Sequence, residues 1–212
     1  MTTATQAVPM QKAQIADSGA ALARAFLDDP LMMYILQDEA KRPGALRWFM
    51  TAAARYGNAH GEVYTTPGEV EGNAIWLPPG DVKVTMPRMI RHGMVAAPFQ
   101  FGMGAFGRFL GVMNHFEHLH DRDMPQPHWY LMVLGVDPPR QGQGVGGALI
   151  EPILARADQT RLPCYLETQK ERNVPFYQKH GFEVIVDEVL PKGGPRCWTM
   201  KRMPRESLVG SG

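Results

Sequence analysis

The chain holds little that would mark a secreted, membrane or nucleic-acid-binding protein. Its 212 residues include two cysteines, Cys164 and Cys197, with no metal-ligand spacing between them. Neither a disulfide framework nor a metal site is expected, and both thiols read as reduced. No run reaches the roughly 18 apolar residues of a membrane span. The apolar stretch from Gly93 to Gly107 is interrupted by Pro98 and Gln100 and closed by Arg108. Met1 to Met10 is polar and lacks the apolar core of a signal peptide. Lys plus Arg (22) nearly balances Asp plus Glu (21), a net charge of +1. That balance offers no basic excess for nucleic acid and no charge run for a membrane surface. The expectation is a cytoplasmic protein, monomer or homodimer, partnered by neither membrane nor nucleic acid. With 44% apolar residues and no internal repeat, it reads as one domain over 1–205 with a floppy tail over 206–212.

What is present begins with an apolar run, His128 to Val136, followed by Asp137-Pro138-Pro139-Arg140-Gln141-Gly142-Gln143-Gly144-Val145-Gly146-Gly147 and a helical pattern. Strand, glycine turn and helix together form a phosphate cradle. Glycine lets the backbone come close, and the first helical amides lack internal partners and lie at the positive end of the helix dipole. The P-loop pattern needs a Gly-Lys-Ser/Thr that is absent here, and Gly142-x-Gly144-x-Gly146 is not the dinucleotide spacing G-x-G-x-x-G. Gly102-Met-Gly104-Ala-Phe-Gly107 does have that spacing, but Pro98-Phe-Gln-Phe before it is too short and proline-broken to be the strand the motif needs. Close helix packing or a substrate lid is the better reading of those glycines.

Downstream stands Asn173-Val-Pro-Phe176-Tyr177-Gln-Lys-His-Gly181-Phe182. With Gln141-x-x-Gly144-x-Gly146 before it and a strand between, the chain resembles the GCN5-related N-acetyltransferase (GNAT) superfamily. Within it, the likeness is to the puromycin N-acetyltransferase family, through Trp129-Tyr-Leu, Leu166-Glu-Thr, the 191–198 ending and the Phe26-Leu-Asp-Asp-Pro30 break. The resemblance implies an α/β GNAT fold: a single mixed, splayed sheet flanked by helices on both faces. It also implies acetyl-CoA as cosubstrate and acetyl transfer to the primary amine of a small molecule, by direct attack in a ternary complex. A non-catalytic acyl-CoA sensor and a protein or peptide N-acetyltransferase are the alternatives.

The resemblance also assigns residues. Gln141, Gly142, Gln143, Gly144, Val145 and Gly146 would cradle the pyrophosphate, and Gly147 would allow close helix approach. Leu134, Gly135 and Val136 would pair with the pantetheine arm where the strands splay, with the Val136 amide as an oxyanion donor. Asn173 and Phe176 complete the cofactor side. Tyr177 would protonate the leaving thiolate, a phenol near ~10 serving a thiol near ~8.5; the alternative is a Tyr packed on Phe176 and Phe182 with its hydroxyl in solvent. Glu167 would take the acceptor's proton or bind its charge, or else be a structural carboxylate. Asp29, Tyr34 and Trp76 are candidates for the acceptor pocket by position and type, against helix punctuation for Asp29 and core packing for Trp76.

Local patterns predict helices over 19–27, from 31 and past Pro43, two helices in 86–120 separated near Pro98, one from the glycine turn to about 160, and a short one over 174–180. Strands are predicted at 62–66, 70–77, 128–136, 164–168, 182–189 and 197–202, with a weak one in 8–15. Asp17-Ser18 is expected to cap the first helix, Asp121 to Pro127 to be a loop, and Pro152 to kink its helix or sacrifice a hydrogen bond. The 128–136 strand is expected to be buried on both faces. His115, His118 and His120 read as a solvated helix end, and the Met-rich 86–113 run as adaptable core or as the lining of an apolar acceptor pocket.

Overall fold

A computed structural model describes residues 6–205; residues 1–5 and the expected 206–212 tail lie outside the described residues. The chain runs through β1 (Val8–Pro9), α1 (Ile15–Ala25), α2 (Pro30–Ile35), α3 (Arg42–His60), β2 (Glu62–Thr65), β3 (Gly72–Leu77), α4 (Met86–Arg91), α5 (Ala97–Phe101), α6 (Met103–Asp123), β4 (Trp129–Val136), α7 (Val145–Thr160), β5 (Cys164–Thr168), α8 (Val174–Lys179), β6 (Glu183–Val189) and β7 (Arg196–Arg202). The strands form one open sheet in the order β1-β2-β3-β4-β5-β7-β6. Every pairing is antiparallel except β4 with β5. This is a mixed α/β fold.

The strand β3 shows why helices cover both faces. All six of its residues are buried, and the period of two divides them. Ile75 and Leu77 join the core beneath α1 and α3, with Leu22, Leu46 and Met50. Ala74 and Trp76 join a second core beneath α7, with Leu149, Ile150 and Ile153. The crossing of α1 and α3 is close enough to require Gly19, where a Cβ would lie 2.0 Å from Thr51 Oγ1.

Two departures in β4 position the site. The first is a bulge: Ile75 pairs with Val133 but Trp76 with Leu131, leaving Met132 as the extra residue. Tyr130, Met132 and Val133 consequently face the α1/α3 core, whereas Leu134 and Val136 face the α7 core. Gly135 then meets α1 so closely that a Cβ would lie 2.7 Å from Leu22 and 2.9 Å from Phe26. The second is the splay: β4 pairs with β5 only at Trp129–Cys164 and Tyr130–Tyr165, so everything from Leu131 onward has β3 on one side and a gap on the other. Because that edge opens, β4 is only partly buried along Met132–Leu134, unlike the two-sided burial expected.

Several boundaries differ from the sequence reading for physical reasons. The first helix begins at Ile15, so Asp17 and Ser18 lie inside it rather than capping it, and Ser18 Oγ is buried without a partner. In 86–123 the long helix starts after Gly102, at φ 80°, and Pro98 instead sits in the first turn of α5. Gly102 and Gly107 have open space where a Cβ would go, so close packing is not what they serve. Residues 121–123 continue α6, because Asp123 accepts from Thr199 Oγ1 at 3.0 Å and docks the helix end on β7. Pro152 stands within an uninterrupted α7.

Candidate active site

The gap beside β4 carries unpaired backbone. Asp137 donates to Glu71 O at 2.8 Å, which makes that pair hydrogen-bonded and, by alternation, turns the polar groups of Val136 and Leu134 away from β3. They face the splay, where an extended ligand could pair with them. The Val136 carbonyl is already engaged by Gln141 Nε2 at 2.9 Å.

The turn after β4 is braced before it meets the helix. The Gln141 amide bonds back to Pro138 O at 3.3 Å, and Gln143 Nε2 donates to Pro139 O at 2.9 Å. Both glutamines, expected to cradle phosphate, therefore spend at least one donor on the loop itself. Gly144 is the residue before α7, in the left-handed region at φ 83°, which favours glycine. The first intrahelical bond of the turn runs from Ala148 to Gly144 O. The amides of Val145, Gly146 and Gly147 precede it and have no helical partner. The Val145 side chain is in the α7 core, so its part is limited to the amide. Gly147 brings α7 against His180, whose Nε2 would lie 3.0 Å from a Cβ there.

A cleft of about 640 Å³ runs along this edge, lined by Leu134 to Val136, Gln141, Gly142, Gly144, Gly146, Gly147, Asn173, Phe176 and Tyr177. Arg140, Lys170, Arg172, Lys179 and His180 line it too, and the motif reading missed these. Lys170 bonds Asp28 at 2.6 Å, so the Asp28-Asp29 break of the first helical hairpin is tied to the loop after β5. These residues fit a polyanionic, extended cosubstrate: free helical amides, four cations and an open strand edge share one cleft.

A second cavity, of about 180 Å³, lies on the α1/α3 side. It shares Phe26, Asp29, Leu134, Asn173 and Tyr177 with the cleft, so the two meet at the tip of α8. Glu167 lines this second cavity. The residue is half-buried; its Oε2 accepts from Tyr130 Oη at 2.8 Å, while Oε1 is buried without a partner. Burial pushes the Glu167 carboxyl up to about 8, against the opposing hydrogen bond from Tyr130. Tyr130 could not be picked out from spacing, because only the β4–β5 pairing brings it to Glu167. Tyr177 packs edge-to-face on Phe176 (5.1 Å) and Phe182 (5.8 Å) and still lines both cavities. Burial, and then the nearby Asp29 carboxylate, raise its pKa, so the phenol keeps its proton.

The remaining expected residues divide. Asp29 borders both cavities, with Oδ1 capping α2 by accepting from the Leu31 (3.0 Å) and Met32 (3.3 Å) amides. Punctuation and site wall are thus one residue. Tyr34 lines neither cavity; its hydroxyl donates to Lys192 O at 3.2 Å. Trp76 is wholly buried in the α7 core, because its place on β3 faces away from this second cavity. Asn173 Nδ2 donates to Thr168 Oγ1 at 3.2 Å, holding the α8 approach to β5. His120, read as solvated, stacks on Tyr165 with centroids 4.5 Å apart and bonds His128 Nε2 to Nε2 at 2.6 Å.

Residues 96–182 match the acetyltransferase (GNAT) family. The chain is also 29% identical over 170 residues, 78% of its length and 69% of the relative's, to an uncharacterized N-acetyltransferase of Schizosaccharomyces pombe. By these matches the chain is similar to the GNAT superfamily. The fold agrees. A Corynebacterium glutamicum structure described as histone acetyltransferase HPA2 and related acetyltransferase superposes with a TM-score of 0.67 at 24% identity, covering 98% of this chain and 100% of that one. The polyamine N-acetyltransferase of Drosophila melanogaster gives 0.62 at 15% identity, covering 93% and 100%. The family match spans β4, the glycine turn and the Tyr177 helix together.

Proposed function

We propose that this chain transfers acetyl from acetyl-CoA to the primary amine of a small molecule, by direct attack with both substrates bound. The observation that carries this reading is the meeting of the two cavities at Tyr177, with Glu167 on the apolar side. A cationic cleft for an anionic cosubstrate and an enclosed pocket for an acceptor open onto one point.

The amides of 145–147 with Arg140, Lys170 and Lys179 would hold the phosphates of acetyl-CoA, and the outward groups of Leu134 and Val136 its extended arm. When bound, acetyl-CoA supplies the acetyl thioester. The net reaction moves acetyl from sulfur to nitrogen and a proton from nitrogen to sulfur. Glu167 takes the nitrogen's proton at its unpartnered Oε1, directly or through water. A carboxyl near about 8 is a much stronger base once ionised than an ordinary carboxylate near ~4.3. Tyr177 holds a proton at Oη for the sulfur. The Val136 amide, facing the splay, is positioned as a donor to developing charge on the carbonyl oxygen. Neither cysteine takes part: Cys164 and Cys197 are buried and their thiols are pushed up to about 12 by burial, so neither supplies a thiolate nucleophile.

The test is release of free CoA thiol from acetyl-CoA across an amine panel that includes puromycin, with wild type, Tyr177→Phe and Glu167→Gln, alongside acetyl-CoA binding. The reading expects turnover on an amine class, lost in both variants, with cosubstrate affinity kept. Tight acetyl-CoA binding with no turnover on any amine would favour a sensor.

A further inference from the structure

We infer that the acceptor is a hydrophobic primary monoamine of arylalkylamine type, and that polyamines and guanidino-amines are selected against. This deepens the acetyl-transfer reading and rests on it. The wall of the acceptor cavity carries six methionines, Met32, Met50, Met89, Met94, Met113 and Met132. It also carries four phenylalanines, among them Phe49 and Phe109, which meet edge-to-face at 5.5 Å. Aromatic edges and polarizable thioethers are good partners for another flat ring, and unbranched Met side chains adapt to its outline. Away from Asp29 and Glu167, such a wall gives a distal cation no carboxylate to pair with.

The acidic count decides between one cation and two. Among the described residues lining this cavity, only Asp29 and Glu167 are acidic. Asp29 lies at the junction with the cleft and spends Oδ1 on two α2 amides. Glu167 is the one carboxylate that borders this cavity and not the cleft, and its Oε1 has no hydrogen-bond partner. A monoamine places its nitrogen there and its body among the methionines. A diamine or agmatine doing the same would leave its second cation among thioethers and rings, and an unpaired buried charge is strongly disfavoured. Size points the same way. A cavity of about 180 Å³ falls below the ~300–1,000 Å³ of sites for drug-sized ligands, so a nucleoside antibiotic overfills it where a single ring on a short arm does not.

The experiment compares 2-phenylethylamine and tryptamine with agmatine and spermidine, each measured for turnover with acetyl-CoA and for binding by calorimetry to enzyme saturated with CoA. The expected result is a kcat/KM at least roughly 100-fold higher for the arylalkylamines, the size of effect that leaving one polar or charged partner unpaired produces. Two charge insertions sharpen it. Met113→Glu on α6 and Val84→Asp on the loop before α4 each place a carboxylate in the wall away from the cleft; both should narrow the preference, through gained agmatine turnover and lost arylalkylamine turnover. Val84 is only half-buried, so its variant stays informative if Met113→Glu does not fold. Arylalkylamine binding without turnover would overturn acetyl transfer and keep the ligand class. Turnover of polyamines at equal or better kcat/KM would keep the transferase and overturn the class. Absence of both binding and turnover for the arylalkylamines would overturn the inference outright.

Discussion

The two halves of the site are built by opposite means. The cleft proposed for the cosubstrate is local: one strand end, one turn and one helix start, drawn from the stretch Leu134 to Gly147, with α8 closing it. Its groups are backbone amides and charged side chains at the surface. The cavity proposed for the acceptor is dispersed, drawn from α2, α3, α4, α6, α8, β4, β5 and the residue after α1, and mostly apolar. Phosphate recognition depends on backbone geometry, which a short glycine-bearing segment can encode. Acceptor recognition depends on a shaped apolar volume, which only the packed fold creates. Tyr177 stands where the two regimes meet, with Glu167 on the apolar side, and the predictions below act on one side or the other of that junction.

The largest effect is expected at Glu167. Replacing it by Gln removes the base while keeping a Tyr130 acceptor, and kcat/KM should fall about 10²–10⁴-fold. Acetyl-CoA affinity should hold, since Glu167 borders only the acceptor cavity. In wild type, kcat/KM should rise with pH through about 8, as the carboxyl ionises, and that limb should vanish in the variant. Persistence of the limb in Glu167→Gln would move the base elsewhere. The same group makes stability fall with pH. Its folded pKa lies above the unfolded value, so the native state binds the extra proton between about 4.5 and about 8 and loses that advantage as pH climbs through the window. Glu167→Gln should therefore flatten the decline of Tm over this range.

Next comes the wall behind the acceptor cavity, where His120 and His128 pack on Tyr130 and Tyr165. His128 Nδ1 donates to Gln126 O at 2.6 Å, so its Nε2 accepts from His120. A second proton would set two N–H groups against each other in a largely buried place. Burial first, and then His128, push His120 down to about 4. A depressed His pKa contributes stability that is present above about 6.5 and lost as pH falls through about 4. The shift corresponds to about 3 kcal/mol at ~1.36 kcal/mol per pKa unit, an order-of-magnitude figure. Urea melts at pH 7 and pH 4.5 should reveal it, and His120→Gln should lose most of the difference; an unchanged pH dependence would mean that other groups titrate.

The same division explains what could be read from the chain before folding. The Gly144–Gly147 turn, β5 and the Tyr177 helix were legible because each is a contiguous pattern of special residues. Arg140, Lys170 and Lys179 were not, because a surface cation has no periodicity that marks its target. Tyr130 was hidden since its role depends on register with β5. Tyr34 lines neither cavity. Trp76 was open between pocket and core because residue type does not say which face of a sheet a side chain takes, and the core reading is the one the fold shows. That face was set by the β4 bulge at Met132 and the alternation of β3, both tertiary outcomes. His120 misled for a related reason: three histidines near a helix end look solvated until β4 and β5 pack against them. The Met-rich 86–113 run had two readings, and Met89, Met94 and Met113 belong to the core while also lining the cavity proposed for the acceptor.

The smallest expected effects separate the two halves most cleanly, through one methyl group on each side of β4's end. Gly144→Ala puts a Cβ where nothing lies within 4 Å, but at φ 83°. Its cost is backbone strain, about 1–2 kcal/mol, relieved by shifting the turn that presents the helix amides. Gly135→Ala has the reverse problem: it puts a Cβ 2.7 Å from Leu22 and 2.9 Å from Phe26, overpacking α1 at about 1–3 kcal/mol. Phe26 borders both cavities, so pushing α1 away disturbs the acceptor side as well. The Gly144 variant should weaken acetyl-CoA binding roughly tenfold, equivalent to ~1.4 kcal/mol, with acceptor KM unchanged once acetyl-CoA saturates. The Gly135 variant should lower Tm and raise acceptor KM together. Calorimetric acetyl-CoA binding and acceptor saturation curves on the two proteins decide it. Equal losses in both measurements for both variants would mean that cleft and cavity are one mechanical unit, and the contrast between a local and a dispersed half would not hold.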